Sequence, residues 1–238
     1  MNRRRGYWAR PAILATGLLV SAGPACASDP AADRAIVALK ARIAETRLRI
    51  DRINAYDQIE NLESAYGYYL DKNLWNQLSD LFAKDGSMEL AQRGVYVGQD
   101  HIRAFLPAFG GPEGPKPNRL GNHLNLQPVI TVAPDAKTAK VRIRLLQMMG
   151  QAGVSAGWGG AIYENEMVKE DGVWKFKVDH AYNTYNVAYD GGWSKQTRGV
   201  LPGPNRKVPP DRPPSLVFEY YPKTYDLPIH YKNPVTGR

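Results

Sequence analysis

The chain has 238 residues, with 31 Lys plus Arg against 23 Asp plus Glu and one cysteine. That length holds one sizeable domain with extensions, and one cysteine excludes an internal disulfide. The basic residues form no stripe interleaved with stacking aromatics, so a nucleic-acid partner is not expected.

Residues 1–27 read as a secretory signal peptide. Arg3, Arg4, Arg5 and Arg10 form a basic start, Ala12 to Val20 an apolar run, and Ala25-Cys26-Ala27 a small-x-small cleavage site that leaves Ser28 first. The run is too short for a lasting membrane anchor. An exported, periplasmic protein follows. Its loss takes four arginines and no acids, lowering the formal charge from +8 to +4 and removing the cysteine.

Residues 28–56 form an N-terminal helical extension. From Asp33 to Asn54, Ile36, Leu39, Ile43, Ile50 and Ile53 recur at heptad-like spacing among charges, over too few heptads to specify a coiled coil. This stripe is expected to extend the next helix and to pack on a partner or on the tail. The central stretch runs from Ile59 to Glu89. Ile59, Leu62, Tyr66, Tyr69 and Leu70 predict a helix, and Leu74, Trp75, Leu78, Leu81 and Phe82 a second one closed by Asp85-Gly86. A hairpin over Met88–Gly98 and a helix over Gln99–Phe109 come next. Four strands follow, over about Leu120–Val132, Ala139–Met149, Gly157–Lys169 and Val173–Tyr189. Helices first and a long meander after them is an α+β order. From Gly191 to Arg238 lie nine of the eighteen prolines together with many aromatics. The aromatics argue for an ordered arm over the pocket mouth or a second subunit, burying Tyr220, Tyr221 and Tyr225.

A helix carrying Tyr66 and Asp71 as Y-x(4)-D, a short helix near Trp75, LFAKDG, and a closing NEMVKEDGVWKF together resemble the SnoaL-like branch of the NTF2-like superfamily. Scytalone dehydratase and the bile-acid 7α-dehydratases belong to that branch. The resemblance covers roughly Asp57 to Tyr182 within a domain spanning 57–190. It implies an NTF2-like cone, a curved antiparallel sheet wrapped around the N-terminal helices with an internal pocket. It also implies that His123, Gln147, Ala161 and Tyr163 face that pocket.

Alternation sorts the strand residues into faces. Val141, Ile143, Leu145 and Gln147 share one face, as do Ala161, Tyr163, Asn165 and Met167. Trp174, Phe176, Val178, His180 and Tyr182 share another, and His123, Asn125 and Gln127 alternate against leucines. The sharp expectation is an Asp71–His123 dyad, in which the carboxylate orients the imidazole as a base. Tyr66 and Tyr69 would donate to a developing oxyanion. The dehydratases of the resemblance use the same parts: helix-borne Tyr and Asp, and a strand-borne His. Gln147, Tyr163, Asn125, Asn165, Trp75 and Trp158 are expected to bind substrate. The dehydratases carry a second titratable group where this chain has Gln147, and an amide only orients.

No H-x-x-x-H spacing suggests a metal site, and Gly157-Trp158-Gly159-Gly160 opens no helix, so no cofactor is expected. The expected activity is that of a cofactor-free lyase or isomerase (elimination, dehydration, retro-aldol or formaldehyde release) on a small, hydrophobic, aromatic and hydroxylated molecule. The alternative is a non-catalytic ligand-binding or assembly module. A homodimer or homotrimer is expected in either case.

Overall fold

The computed structural model describes residues 29–195 and 202–238. The leader over 1–27, Ser28 and residues 196–201 of the arm lie outside them. The chain divides into a unit ending at Ala44 and a unit from Glu45 to Arg238.

Helix α1 runs unbroken over Pro30–Asp71, so the charged extension and the first domain helix are one element. In the first unit Ile36, Leu39 and Ile43 are exposed. In the second unit Ile50 and Ile53 are exposed as well, while Ala55, Ile59, Glu63, Tyr66, Gly67 and Leu70 are buried at three- and four-residue spacing. Asn73 takes a positive φ of 54°, which ends the helical path. Helix α2 is only Trp75–Asp80, shorter than its apolar spacing predicts. Phe82 already belongs to β1 (Phe82–Leu90), because its ring is fully buried against Phe176. The expected Asp85-Gly86 turn becomes an irregularity inside that strand.

Strand β2 (Val95–Val97), helix α3 (Gln99–Gly110) and strands β3 (Arg119–Val132), β4 (Thr138–Gln151), β5 (Ser155–Glu170) and β6 (Val173–Ala188) complete the domain. The sheet has the order β2-β1-β6-β5-β4-β3. The β1–β6 pair is parallel and the others antiparallel, so the expected antiparallel sheet is a mixed one. The second unit is thus an NTF2-like α+β cone, with the buried stripe of α1 against the inner face.

Extra residues curve the sheet and exchange its faces. Opposite β5, strand β6 carries one at Lys177 and one at Thr184, since Glu166 pairs with Val178 but Met167 with Phe176, and Gly160 with Tyr185 but Ala161 with Asn183. Asp179, Ala181 and Asn183 therefore turn inward after Trp174 and Phe176. His180, stacked on Tyr182, turns outward, away from the face of Trp174 and Phe176 on which alternation alone puts it. In β3, Gln127 sits at a similar irregularity with φ of 55° and accepts a hydrogen bond from Arg144, on the face opposite His123.

The arm is ordered without regular structure. It lies on β1, β2 and the outer face of β5 and β6. Val95 bridges Arg212, Tyr96 Oη donates to the Val208 carbonyl, Ser215 donates to Glu89, and His230 pairs with Glu164 at 2.7 Å. Phe218 and Tyr220 are buried, but Tyr221 and Tyr225 stay 37% and 45% exposed because they lie on the outer side of the arm. Gln92 is a two-handed anchor: its amide donates to the Phe218 carbonyl and accepts from the Phe218 N–H, both at 2.9 Å. Gln92→Ala strands both buried backbone groups, at a cost of ~1–3 kcal/mol. The expected result is a lower urea midpoint and faster amide exchange at Phe218; unchanged exchange there would show that the arm is held from elsewhere.

Candidate active site

Two close approaches bring α1 to the edge strand β3. Gly67 lies where any Cβ would stand 3.0 Å from the His123 carbonyl oxygen, so a larger residue would push helix and strand apart. Asn125 Nδ2 then donates to the Glu63 carbonyl at 2.8 Å and fastens the contact. At the end of α1, Asp71 Oδ1 accepts from the His123 backbone N–H at 2.9 Å and lies 2.6 Å from His123 Nδ1. The side chains of His123 and Asp71 are only 12% and 9% exposed. Across the β3–β4 ladder His123 pairs with Gln147, whose Nε2 is 2.7 Å from His123 Nε2.

A consistent proton assignment follows. Nδ1–H donates to Asp71, the Nε2 lone pair faces the sheet, and the Gln147 amide donates to it. Such an imidazole can accept one proton at Nε2 while Asp71 balances the resulting charge. A cleft of about 280 Å³ reaches this pair, lined among others by Ser64, Tyr68, Asp71, Asn122, His123 and Asn125.

The profile of the SnoaL-like domain matches residues 51–179, more than half of the chain. The chain belongs to the SnoaL-like family. Among solved structures it is similar to a provisionally named scytalone dehydratase from Novosphingobium aromaticivorans DSM 12444, at 24% identity and a TM-score of 0.53, covering 66% of this chain and 96% of that one. It is also similar to a type 2 hexachlorocyclohexane dehydrochlorinase, LinA, at 20% identity and a TM-score of 0.52, covering 59% and 92%. The type 3 LinA from Novosphingobium barchaimii LL02 shares 19% identity at a TM-score of 0.52, covering 60% and 95%. At these identities the likeness is one of fold. None of the curated proteins matches the chain.

Within this SnoaL-like domain, the expected site residues separate into groups. Asp71, His123 and Gln147 form one hydrogen-bonded row. Tyr66 and Tyr163 are buried together in the core, ring centroids 6.0 Å apart, with Phe176 against Tyr66. Tyr69 is partly buried against the same core. Asn165 Nδ2 donates to the Glu63 carboxyl at 2.9 Å and its Oδ1 accepts from the His180 N–H, so it and Asn125 spend their amides anchoring α1 and β6. Trp75 is 2% exposed and its indole N–H donates to the Gly111 carbonyl, which makes it a core residue. Trp158 precedes Gly159 in β5 and so lies on the outer face, beside Tyr189. Neither tryptophan lines the cleft.

Two sets of residues escaped the sequence reading. The first is Ser64 and Tyr68, which stand four residues apart on α1 and share a helical face with Asp71 at i+7, a face that pattern reading can find once Asp71 is singled out. Of the helix tyrosines it is Tyr68, 73% exposed, that lines the cleft. The other set is a pair of core carboxyls. Burial pushes Glu63 from 4.5 up to about 8, with the Asn165 hydrogen bond opposing. Burial likewise pushes Asp179 from 3.8 up to about 7, with the nearby Tyr66 hydroxyl opposing. The two groups do not meet in hydrogen-bond geometry, since neither that hydroxyl nor either Asp179 oxygen has a hydrogen-bond partner among the described residues. Burial also raises both the Tyr66 and Tyr163 phenols well above their ordinary value, so they stay neutral.

Proposed function

We propose that this SnoaL-like protein is a cofactor-free lyase or isomerase acting on a small, hydrophobic, aromatic and hydroxylated molecule. His123 is the base. The observation that carries the reading is the 2.6 Å contact between His123 Nδ1 and Asp71 Oδ1, in a pair nine-tenths buried at the foot of a cleft. The carboxylate holds the Nδ1–H tautomer and stabilises the imidazolium that forms.

In the proposed step, Nε2 removes a proton from a substrate carbon. The electron pair left on carbon then expels a β-substituent or moves toward an adjacent oxygen. Gln147 must release Nε2 for this to happen, and its freed amide can donate to the substrate oxygen. Tyr68, on the cleft wall, is the phenol placed to donate to the same oxygen or to the leaving group. The similarity of fold to dehydratase and dehydrochlorinase structures supports elimination as the reaction class. The leader read at residues 1–27 supports action outside the cytoplasm.

The rival binding-module reading draws on the same Gln147 contact, because a capped Nε2 is a resting group. A panel of aromatic alcohols and β-hydroxylated aryl compounds separates the two, followed by ultraviolet absorbance and by mass spectrometry of products. Turnover by the wild-type protein, and a fall on the order of 10²-fold or more in Asp71→Asn, is expected. Saturable binding with no conversion across the panel would leave the binding module standing.

A further inference from the structure

The row that begins at Asp71 does not stop at Gln147. Gln147 pairs with Gly159 on β5, and Gly159 pairs with Asn186 on β6. One line therefore crosses four strands, His123–Gln147–Gly159–Asn186, and the third place has no side chain. A Cβ at Gly159 would stand 2.7 Å from Gln147 Oε1 and 2.8 Å from Asn186 Oδ1, so both amides crowd the space above the bare Cα. Asn186 Oδ1 is shut off from solvent and has no hydrogen-bond partner among the described residues. Leaving a buried amide oxygen unpaired is costly, and an amide can present either its oxygen or its N–H groups to the same neighbour. The bulge at Thr184 is what brings Asn186 to this face; without that extra residue Tyr185 would pair with Gly159 and stand here.

We infer that Asn186 is a positioning residue for the His123 base, acting through Gln147 across the slot that Gly159 leaves open. Turned to present Nδ2, Asn186 donates to Gln147 Oε1. Gln147 must then offer Nε2–H, and not its oxygen, to His123 Nε2. His123 can receive that donor only as the Nδ1–H tautomer, the form that leaves Nε2 free to accept a proton. The tautomer is thereby set from both ends, by Asp71 at Nδ1 and by the two amides at Nε2. Gly159 has a steric role in the same device, since even a methyl group would displace one amide. The inference rests on the dyad reading above, but its test needs no turnover.

The test is long-range ¹⁵N–¹H correlation on the full ¹⁵N-labelled chain, with the His123 signals identified by their loss in His123→Ala. The wild-type protein should show the Nδ1–H pattern at neutral pH. Asn186→Ala frees Gln147 to turn its oxygen toward His123, so the tautomer ratio should move toward Nε2–H by about fivefold or more. Asn186→Asp, whose carboxylate only accepts, should move it further. Gly159→Ala should give a similar change from the opposite side, and covers the case in which an Asn186 variant fails to fold. In a Gln147→Ala background, Asn186→Ala should add nothing. Wild-type His123 signals in a folded Asn186→Ala and a folded Gly159→Ala protein would overturn the inference. A tautomer change in a protein that turns over nothing on the substrate panel would uphold it while removing the enzymatic reading.

Discussion

His123→Ala is expected to lower kcat on a true substrate by ~10²–10⁴-fold while the domain stays folded. Two terms decide that the loss is catalytic and not structural. The side chain is 12% exposed and ends in polar partners, so its removal empties a polar corner where water can enter. Asp71 also keeps its 2.9 Å hydrogen bond from the backbone N–H of residue 123, which any side chain there preserves. The stability cost should stay near the ~1–3 kcal/mol of a disturbed buried polar group. Asp71→Asn tests the same idea from the other side. An asparagine that donates to Nδ1 favours the Nε2–H tautomer, so the base nitrogen carries a proton in the ground state and the rate falls although packing is kept. Tyr68→Phe should lower kcat, because Tyr68 lines the cleft with the dyad. Tyr66→Phe should leave kcat within a few-fold, because that hydroxyl is buried and unpartnered in the core. Full turnover by His123→Ala would end the base reading.

The meander was legible from the sequence because long alternating runs lie between strong turn signals. Pro134-Asp135 and Asp171-Gly172 bracket strands whose ends fall within a few residues of those predicted. The bulges were not legible. An inserted residue such as Lys177 or Thr184 has no compositional signature, yet it reverses the face of everything after it. That is why alternation groups His180 with Trp174 and Phe176 and leaves Asp179 on the other face. On α1 the difficulty was angular: Tyr66 and Tyr68 are two residues apart, so they point to nearly opposite sides of a helix, one into the core and one into the cleft. Glu63 lies in the buried stripe but was passed over because carboxylates are rarely buried. The contact of Asp71 with His123 could be expected from the family pattern. Asn186 could not, since its place depends on the Thr184 bulge.

Glu63 and Asp179 should make this protein less stable as pH rises across the neutral range. Both are fully buried, and burial raises their folded-state pKa values to about 8 and about 7, against ordinary values of 4.5 and 3.8. Between roughly pH 4 and pH 8 the unfolded chain releases these protons and the folded chain keeps them. Unfolding is then favoured progressively as pH increases, and the stabilisation is complete only below the unfolded values. A carboxyl raised this far corresponds to on the order of 4 kcal/mol across that window, and the two groups act in the same direction, each charge in the core adding to the cost of the other. Asp85, lowered by Lys177, and Asp211, lowered against the effect of burial by the Val97 N–H and then by His101, act with the opposite sign, but below the ordinary carboxylate range. They leave the neutral window to the core pair and to His180. Burial lowers the His180 pKa, so that it opposes the pair below the ordinary histidine value and leaves the upper part of the window to the carboxyls. Urea midpoints measured at pH 5, 6, 7 and 8 should therefore fall for the wild-type protein, and fall less for Asp179→Asn, whose amide cannot ionise. Glu63→Gln should flatten the upper part of the window, and can keep a hydrogen bond with Asn165 by turning one amide. Parallel profiles for the wild-type protein and both variants would mean that the two groups ionise in the folded core as freely as in water.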